Sequence, residues 1–178
     1  MPLPGGSADK LGNRYEGRWT VVCMVEVMDE RADAIRLEPP GVEGEGVEFW
    51  LQRENVREYY QAKRQHSASG RWTLAELNSK GVLSHFLKKL NDETAWYIFV
   101  STDSAFQLRE LSERARKAPS WEEFQREFLK ADQQSSAFDN LCYYWGDCSQ
   151  PDAYEALKRI RVETLSEDLL RTLLKTAA

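Results

Sequence analysis

Three side chains within residues 47–63 have the types and spacing that suit phosphodiester chemistry: Glu48, Gln61 and Lys63. Alternate residues of a strand share a face. In 47–51, Glu48 and Trp50 lie on one face and Val47, Phe49 and Leu51 on the other. In 58–63, Tyr59, Gln61 and Lys63 share a face, with Tyr60 and Ala62 opposite. Antiparallel pairing of Leu51 with Glu58 sets Glu48 across from Gln61. A shift of two residues sets it across from Lys63. Either register gathers the three polar groups on one face and leaves a mostly apolar face to bury against a helix.

The chemistry follows from the donors. A carboxylate holds a hard divalent cation such as Mg²⁺, or Mn²⁺ in its place, through oxygen. The Gln61 amide and the Ala62 backbone carbonyl add neutral oxygens. Such a cation polarises a phosphate and helps deprotonate a water. Lys63 then holds the attacking water or stabilises charge on the phosphorane. The same residue types are ordinary on the solvent side of a half-exposed hairpin, so the pattern alone leaves both readings open.

These residues need elements to position them. Tyr15, Trp19, Val22 and Val25 step along one face of a helix placed at about 13–28. A strand follows at 34–38, stopped by Pro39, Pro40 and Gly41. The glycines at 41, 44 and 46 make an acidic turn before the hairpin. The polar segment 64–72 reads as a loop. Thr73 and Glu76 have capping-box spacing, and the helix they open breaks near Gly81 and resumes as VLSHFLKKL. The apolar run 95–102 suits a central buried strand. Helices are expected at about 105–117, 120–131 and 151–158, a strand at 160–164, and a last helix opening at Ser166. The fold class is α/β, a mixed sheet core flanked by helices, with a mostly helical C-terminal half. At 178 residues one domain is expected: a flexible lead-in over 1–11, an α/β core over 12–102 and a helical extension over 103–178.

The net charge of −5 points mildly away from nucleic acid. The distribution points the other way. Residues 55–90 carry a net +5, which leaves −10 for the rest. Arg64, Arg71, Lys80, Lys88 and Lys89 are the candidate DNA contacts, suited to sequence-independent backbone binding. No recognition helix or zinc finger is readable. Trp72, with His66 and Arg71, offers a DNA contact or a hydrophobic staple, with packing preferred. Trp19, Trp50, Trp96, Trp121 and Trp145 are assigned to the core. The three cysteines, Cys23, Cys142 and Cys148, are read as free thiols of a reducing compartment, so a cytoplasmic location is expected. The six-residue step from Cys142 to Cys148 is not that of a zinc or redox pair. Two histidines, His66 and His85, cannot make a three-histidine zinc site. No apolar run reaches membrane-spanning length, so no membrane partner is expected, and the N-terminus lacks the apolar stretch of a signal peptide.

The motifs GNRYEGRWTV, IRLE, G-x-E-G-x-G-V-E-F, YYQAKRQ and WTLAEL…GVLSHF, over residues 12–101, carry a resemblance. The chain resembles the PD-(D/E)XK, restriction-endonuclease-like superfamily. More closely it resembles the double-stranded DNA nuclease domains at the N-termini of bacterial antiphage effectors of the CBASS and antiviral NTPase kind. The resemblance implies that Glu48 stands where the metal-binding acid is usually Asp. Gln61 stands for the acidic member of the (D/E)XK pair, and Lys63 is the catalytic lysine. It makes Glu16, on the first helix, an additional metal-ligand candidate, with Glu38 and Glu43 weaker ones. It implies a Mg²⁺-dependent endonuclease of low sequence specificity acting on double-stranded DNA in antiphage defence. Activation by homo-oligomerisation would bring two sites together to cut both strands. A fused or associated sensor or NTPase module is expected, since this chain has no G-x-x-x-x-G-K-[ST] loop, and the chain is read as the N-terminal module of a longer protein. Two departures stand out: Glu for Asp moves the carboxylate out by one methylene, and Gln for Glu weakens the hold on a second metal. The alternatives are a non-catalytic DNA-binding or oligomerisation module on the same fold, or an unrelated α/β adaptor.

Overall fold

A computed structural model describes residues 5–64, 70–146 and 148–176; His66 lies outside them. The elements run α1 (Gly5–Met28), β1 (Ala34–Leu37), a short 3-10 turn (Gly41–Gly44), β2 (Phe49–Arg53), β3 (Val56–Lys63), α2 (Leu74–Ser79), α3 (Val82–Lys89) and β4 (Ala95–Ser101). Then follow α4 (Phe106–Lys117), α5 (Trp121–Phe128), α6 (Asp132–Tyr144), α7 (Gln150–Lys158), β5 (Ile160–Thr164) and α8 (Glu167–Thr176).

The five strands form one mixed sheet in the order β1-β2-β3-β4-β5. β1, β2 and β3 are an antiparallel meander. The chain then crosses through α2 and α3 to place β4 parallel to β3, and β5 lies parallel to β4. A parallel neighbour needs such a crossover because its strand must restart at the same end. The expected mixed α/β sheet is therefore present.

The sheet has two unlike covers. On one face Phe49, Leu51, Tyr60, Ala62, Ile98 and Val100 pack with Tyr15 and Cys23 of α1 and Leu170 of α8. The Tyr15 hydroxyl donates to the Leu165 carbonyl and fastens the first helix to the end of the chain. The packed stripe of α1 is Tyr15, Trp19, Val22, Cys23 and Val27. Val25, assigned to that stripe from the spacing, is not part of it. The helix also begins at Gly5, well before residue 13. On the other face Tyr59, Tyr97, Phe99, Ile160 and Val162 join the apolar sides of α2–α7. The C-terminal half is thus no separate bundle: it supplies β5 to the sheet and α8 to its first face.

Local signals explain the crossover. Thr73 Oγ1 accepts from the Glu76 N–H, and the Glu76 carboxylate accepts from the Thr73 N–H at 2.8 Å, the reciprocal pair the spacing predicts. Hydrogen bonds from Thr73 hold the Glu76 carboxyl below its usual range. Gly81, with φ 73°, takes the left-handed conformation that breaks the helix in two. Trp72 is buried, set edge-on to Phe99 at 5.7 Å, and its indole N–H donates to Ser101 Oγ at 2.6 Å. That is the packing role.

Two expectations are corrected. The helix α6 has no counterpart in the sequence reading, because its first turns (Asp132, Gln133, Gln134, Ser135) are polar. Its inward face begins only at Ala137 and continues through Phe138, Leu141 and Cys142. Trp19, Trp50, Trp96 and Trp121 are half-buried rather than core. Trp50 and Trp96 flank the sheet under guanidinium groups, Arg57 and Arg161 each standing 4.5 Å from a ring centroid. Trp145 is buried, and its indole N–H donates to the Leu83 carbonyl.

Among the described residues no helix is long and apolar enough to cross a membrane. Among the described residues none of the three cysteines is in a disulfide; Cys23 and Cys142 are buried and Cys148 is half-buried.

Candidate functional site

The register settles where the hairpin residues meet. Leu51 stands opposite Glu58 and Phe49 opposite Tyr60. The Glu48 N–H continues the ladder by donating to the Tyr60 carbonyl at 2.9 Å. Glu48 therefore follows the first of the two registers, one step further on, across from Gln61. On its other side the Glu38 N–H donates to the Glu48 carbonyl at 3.0 Å. Glu38, Glu48 and Gln61 thus form one row across three strands, and Phe99 extends it on β4.

Lys63, two residues beyond Gln61, returns to the same face. Its ammonium donates to Glu48 Oε1 at 3.0 Å, and both side chains are about one third exposed, at 34 % and 30 %. Gln61 is buried, 3 % exposed. Its Oε1 lies 3.3 Å from the Tyr97 hydroxyl, which also donates to the Gly46 carbonyl. A hydroxyl has one proton. That one proton serves the Gly46 carbonyl or Gln61 Oε1, both of which stand against the Tyr97 hydroxyl.

Glu16, on α1, is close enough to feel the charges of Glu48 and Lys63. Burial raises its carboxyl above the usual range, and the neighbouring Glu48 carboxylate raises it further, while Lys63 opposes both. Burial, and then Glu48, likewise hold Tyr97 protonated well above the ordinary phenol range. The neighbourhood therefore holds the Glu48 carboxylate paired with the Lys63 ammonium, the Gln61 amide beside the Tyr97 phenol, and the Glu16 carboxyl within electrostatic range. Like charges held close favour protonation or a bound cation.

A cation there would find hard oxygen donors: Glu48, Glu16, the Gln61 amide and the Ala62 carbonyl. That set suits Mg²⁺ or Mn²⁺ in chemistry. Among the described residues no three His, Cys, Asp or Glu side chains are grouped to hold a metal. Neutral oxygens and water would complete the shell. Glu38 is exposed, with φ 43°, and is placed by its backbone alone. Glu43 is turned away, into ion pairs with Arg57 at 3.1 Å and Arg36 at 3.5 Å.

The five basic candidates are placed unlike one another. Lys80 and Arg71 are exposed. Arg64 is largely covered, 13 % exposed, and pairs with Glu167 of α8, which Arg18 also meets. Lys88 pairs with Glu45 at 3.0 Å. Lys89 is half-buried and donates to the Val42 and Glu43 carbonyls at 2.7 and 2.6 Å.

Two residues absent from the sequence reading of the site belong beside it. Tyr97 could have been found by drawing the parallel pair β3–β4, which sets it on the Gln61 face. His85 packs against Gly46, and its charge state feels Lys63. Burial first, then the lysines at 88, 89 and 63, keep its imidazole below the usual range.

Gly46 is fixed by this packing. Its φ is 66°, and a Cβ built there would lie 2.0 Å from His85 Nδ1. Gly46→Ala combines a left-handed penalty of about 1–2 kcal/mol with overpacking of similar size. Urea denaturation should show a loss of about 2 kcal/mol or more, partly recovered in Gly46→Ala/His85→Ala. A loss below about 0.5 kcal/mol would contradict this packing.

In comparison with known proteins, no protein-family model matches the chain and no curated protein matches it. The chain is similar to structures of a Cap4 SAVED/CARF-domain containing receptor from Acinetobacter baumannii. With the receptor bound to the cyclic trinucleotide 2′3′3′-cAAA the TM-score is 0.41 at 12 % identity, covering 72 % of this chain and 27 % of that one. With the other structure of that receptor the values are 0.37 and 14 %, covering 72 % and 29 %. The chain spans less than a third of the length of the receptors it is similar to.

Proposed function

We propose that this chain is a Mg²⁺-dependent endonuclease of low sequence specificity that cuts double-stranded DNA, an antiphage effector activated by self-association. One observation carries the proposal: Glu48, Gln61 and Lys63 share one face of the hairpin, with the Lys63 ammonium 3.0 Å from the Glu48 carboxylate. The mixed sheet flanked by helices agrees with the fold that the resemblance over residues 12–101 implies, and that resemblance supplies the antiphage setting.

The roles follow from position. A bound divalent cation would supply a polarised phosphate and a more acidic water. Glu48 and Glu16 offer it charge, and Gln61 offers a neutral oxygen held by Tyr97. Lys63 keeps its proton toward Glu48 in the absence of substrate, and turns that N–H to a phosphate oxygen or to the attacking water. Tyr97 stays protonated and holds the Gly46 carbonyl and the Gln61 amide in fixed relation. In this reading the exposed Lys80 and Arg71 meet phosphates without reading bases.

The test is loss of supercoiled plasmid with Mg²⁺, with Mn²⁺ and with EDTA. It is run on the full chain as purified and on a fusion whose parallel coiled coil enforces self-association. Cleavage with either metal, lost in EDTA and in Glu48→Gln, is expected. Tight DNA binding with no cleavage in either form would overturn the proposal in favour of a non-catalytic binding module.

A further inference from the structure

The turn that leads into Glu48 buries little of its own. The 3-10 turn Gly41–Gly44 buries no residue and has no side-chain cap. A segment with so few contacts of its own is placed by whatever grips it. Arg36 and Arg57 hold it through Glu43, and the rest of the grip comes from α3 and β4. Lys89 donates to two successive carbonyls, those of Val42 and Glu43. The His85 ring fills the space that a side chain on Gly46 would need. The Tyr97 hydroxyl takes the Gly46 carbonyl. Glu48 lies two residues beyond Gly46.

Lys89 is committed to this contact. It is half-buried, and burial lowers its proton affinity against the opposing pull of Glu43 and Glu45. Its ammonium also stands 5.2 Å from the Tyr59 ring centroid, closed in on that side. Lys88 differs: it is exposed and pairs with the exposed Glu45, a kind of pair that contributes little.

From this geometry we propose that Lys89 and His85 are positioning residues for Glu48, with α3 acting as the clamp that sets the carboxylate in the site, and that Lys89 is not a phosphate contact. The consequence for cation binding rests on the proposed function. The positioning does not.

Hydrogen exchange of the 41–49 peptide, followed by mass spectrometry on the full chain, tests the clamp without any cleavage. Lys89→Met removes both charge-assisted hydrogen bonds and should speed exchange there by about tenfold or more. Lys89→Arg, which can still donate to both carbonyls, should restore most of the protection. Lys88→Met should change exchange by less than about twofold. Mn²⁺ titration followed by electron paramagnetic resonance should show several-fold weaker binding in Lys89→Met and in His85→Ala. DNA affinity in Ca²⁺, and its salt dependence, should match the parent. Unchanged exchange at 41–49 in Lys89→Met overturns the inference, as does a reduced salt slope, which would make Lys89 a phosphate contact. If the parent binds no Mn²⁺ and cuts nothing while exchange still rises, the clamp stands and the nuclease reading falls.

Discussion

Lys63→Ala is expected to slow metal-dependent plasmid cleavage by about 10²–10³-fold, the usual loss when one donor aimed at developing charge is removed. The same substitution should barely move folding stability. The Lys63–Glu48 pair is about one third exposed on both sides, and such pairs contribute at most about 1 kcal/mol. Removing the ammonium also takes the positive charge away from Glu48, and from Glu16 which feels it, so the apparent affinity for Mn²⁺ should hold or rise. The signature is thus a lost rate with retained stability and retained metal. Parallel measurements of cleavage rate, urea midpoint and Mn²⁺ binding check it. Cleavage within about threefold of the parent would remove Lys63 from the chemistry.

Phe86→Ala should carry the largest stability loss, about 3–5 kcal/mol for deletion of a fully buried ring. Phe86 lies on α3 with its ring centroid 4.1 Å from that of Tyr97 and 6.4 Å from that of Phe99. It anchors the clamp helix to the strand that carries Tyr97. Total stabilities of ordinary domains are about 5–15 kcal/mol, so this loss is a large share. Denaturant titration measures it directly. Phe86→Leu, which keeps most of the apolar volume, should recover over half of the loss. A deficit under about 1 kcal/mol in Phe86→Ala would mean that α3 does not depend on this contact.

Much of the framework was legible because it is written locally. The capping pair Thr73 and Glu76, the break at Gly81 and the alternation in the hairpin each depend on neighbours a few residues apart. The alternation gathered Glu48, Gln61 and Lys63 on one face, but it left two registers open, and only the strand pairing chose between them. What stayed hidden depends on distant partners. Tyr97 joins the site only because β4 returns parallel to β3. His85 and Lys89 matter because α3 folds back over a turn more than 40 residues upstream, as the Lys89 to Glu43 hydrogen bond records. Charge alone suggested that Lys88, Lys89 and Arg64 face DNA. It could not show that a carboxylate or a carbonyl already stood beside each. The polar opening of α6 hid a helix whose only signal is its later apolar face.

The β2–β3 hairpin has its closing turn at Glu54 and Asn55, at the opposite end of the strands from Glu48 and Lys63. The two loops that flank β2 therefore have unequal freedom to change length. Extra residues at 54–55 would extend the hairpin into solvent and leave the row of Glu38, Glu48 and Gln61 in register. Extra residues between Pro40 and Val47 would uncouple Glu48 from the helix that holds it. A fluorophore or affinity tag grafted at the far turn should ride on the molecule as a passive reporter, and lineages of such chains should vary there first.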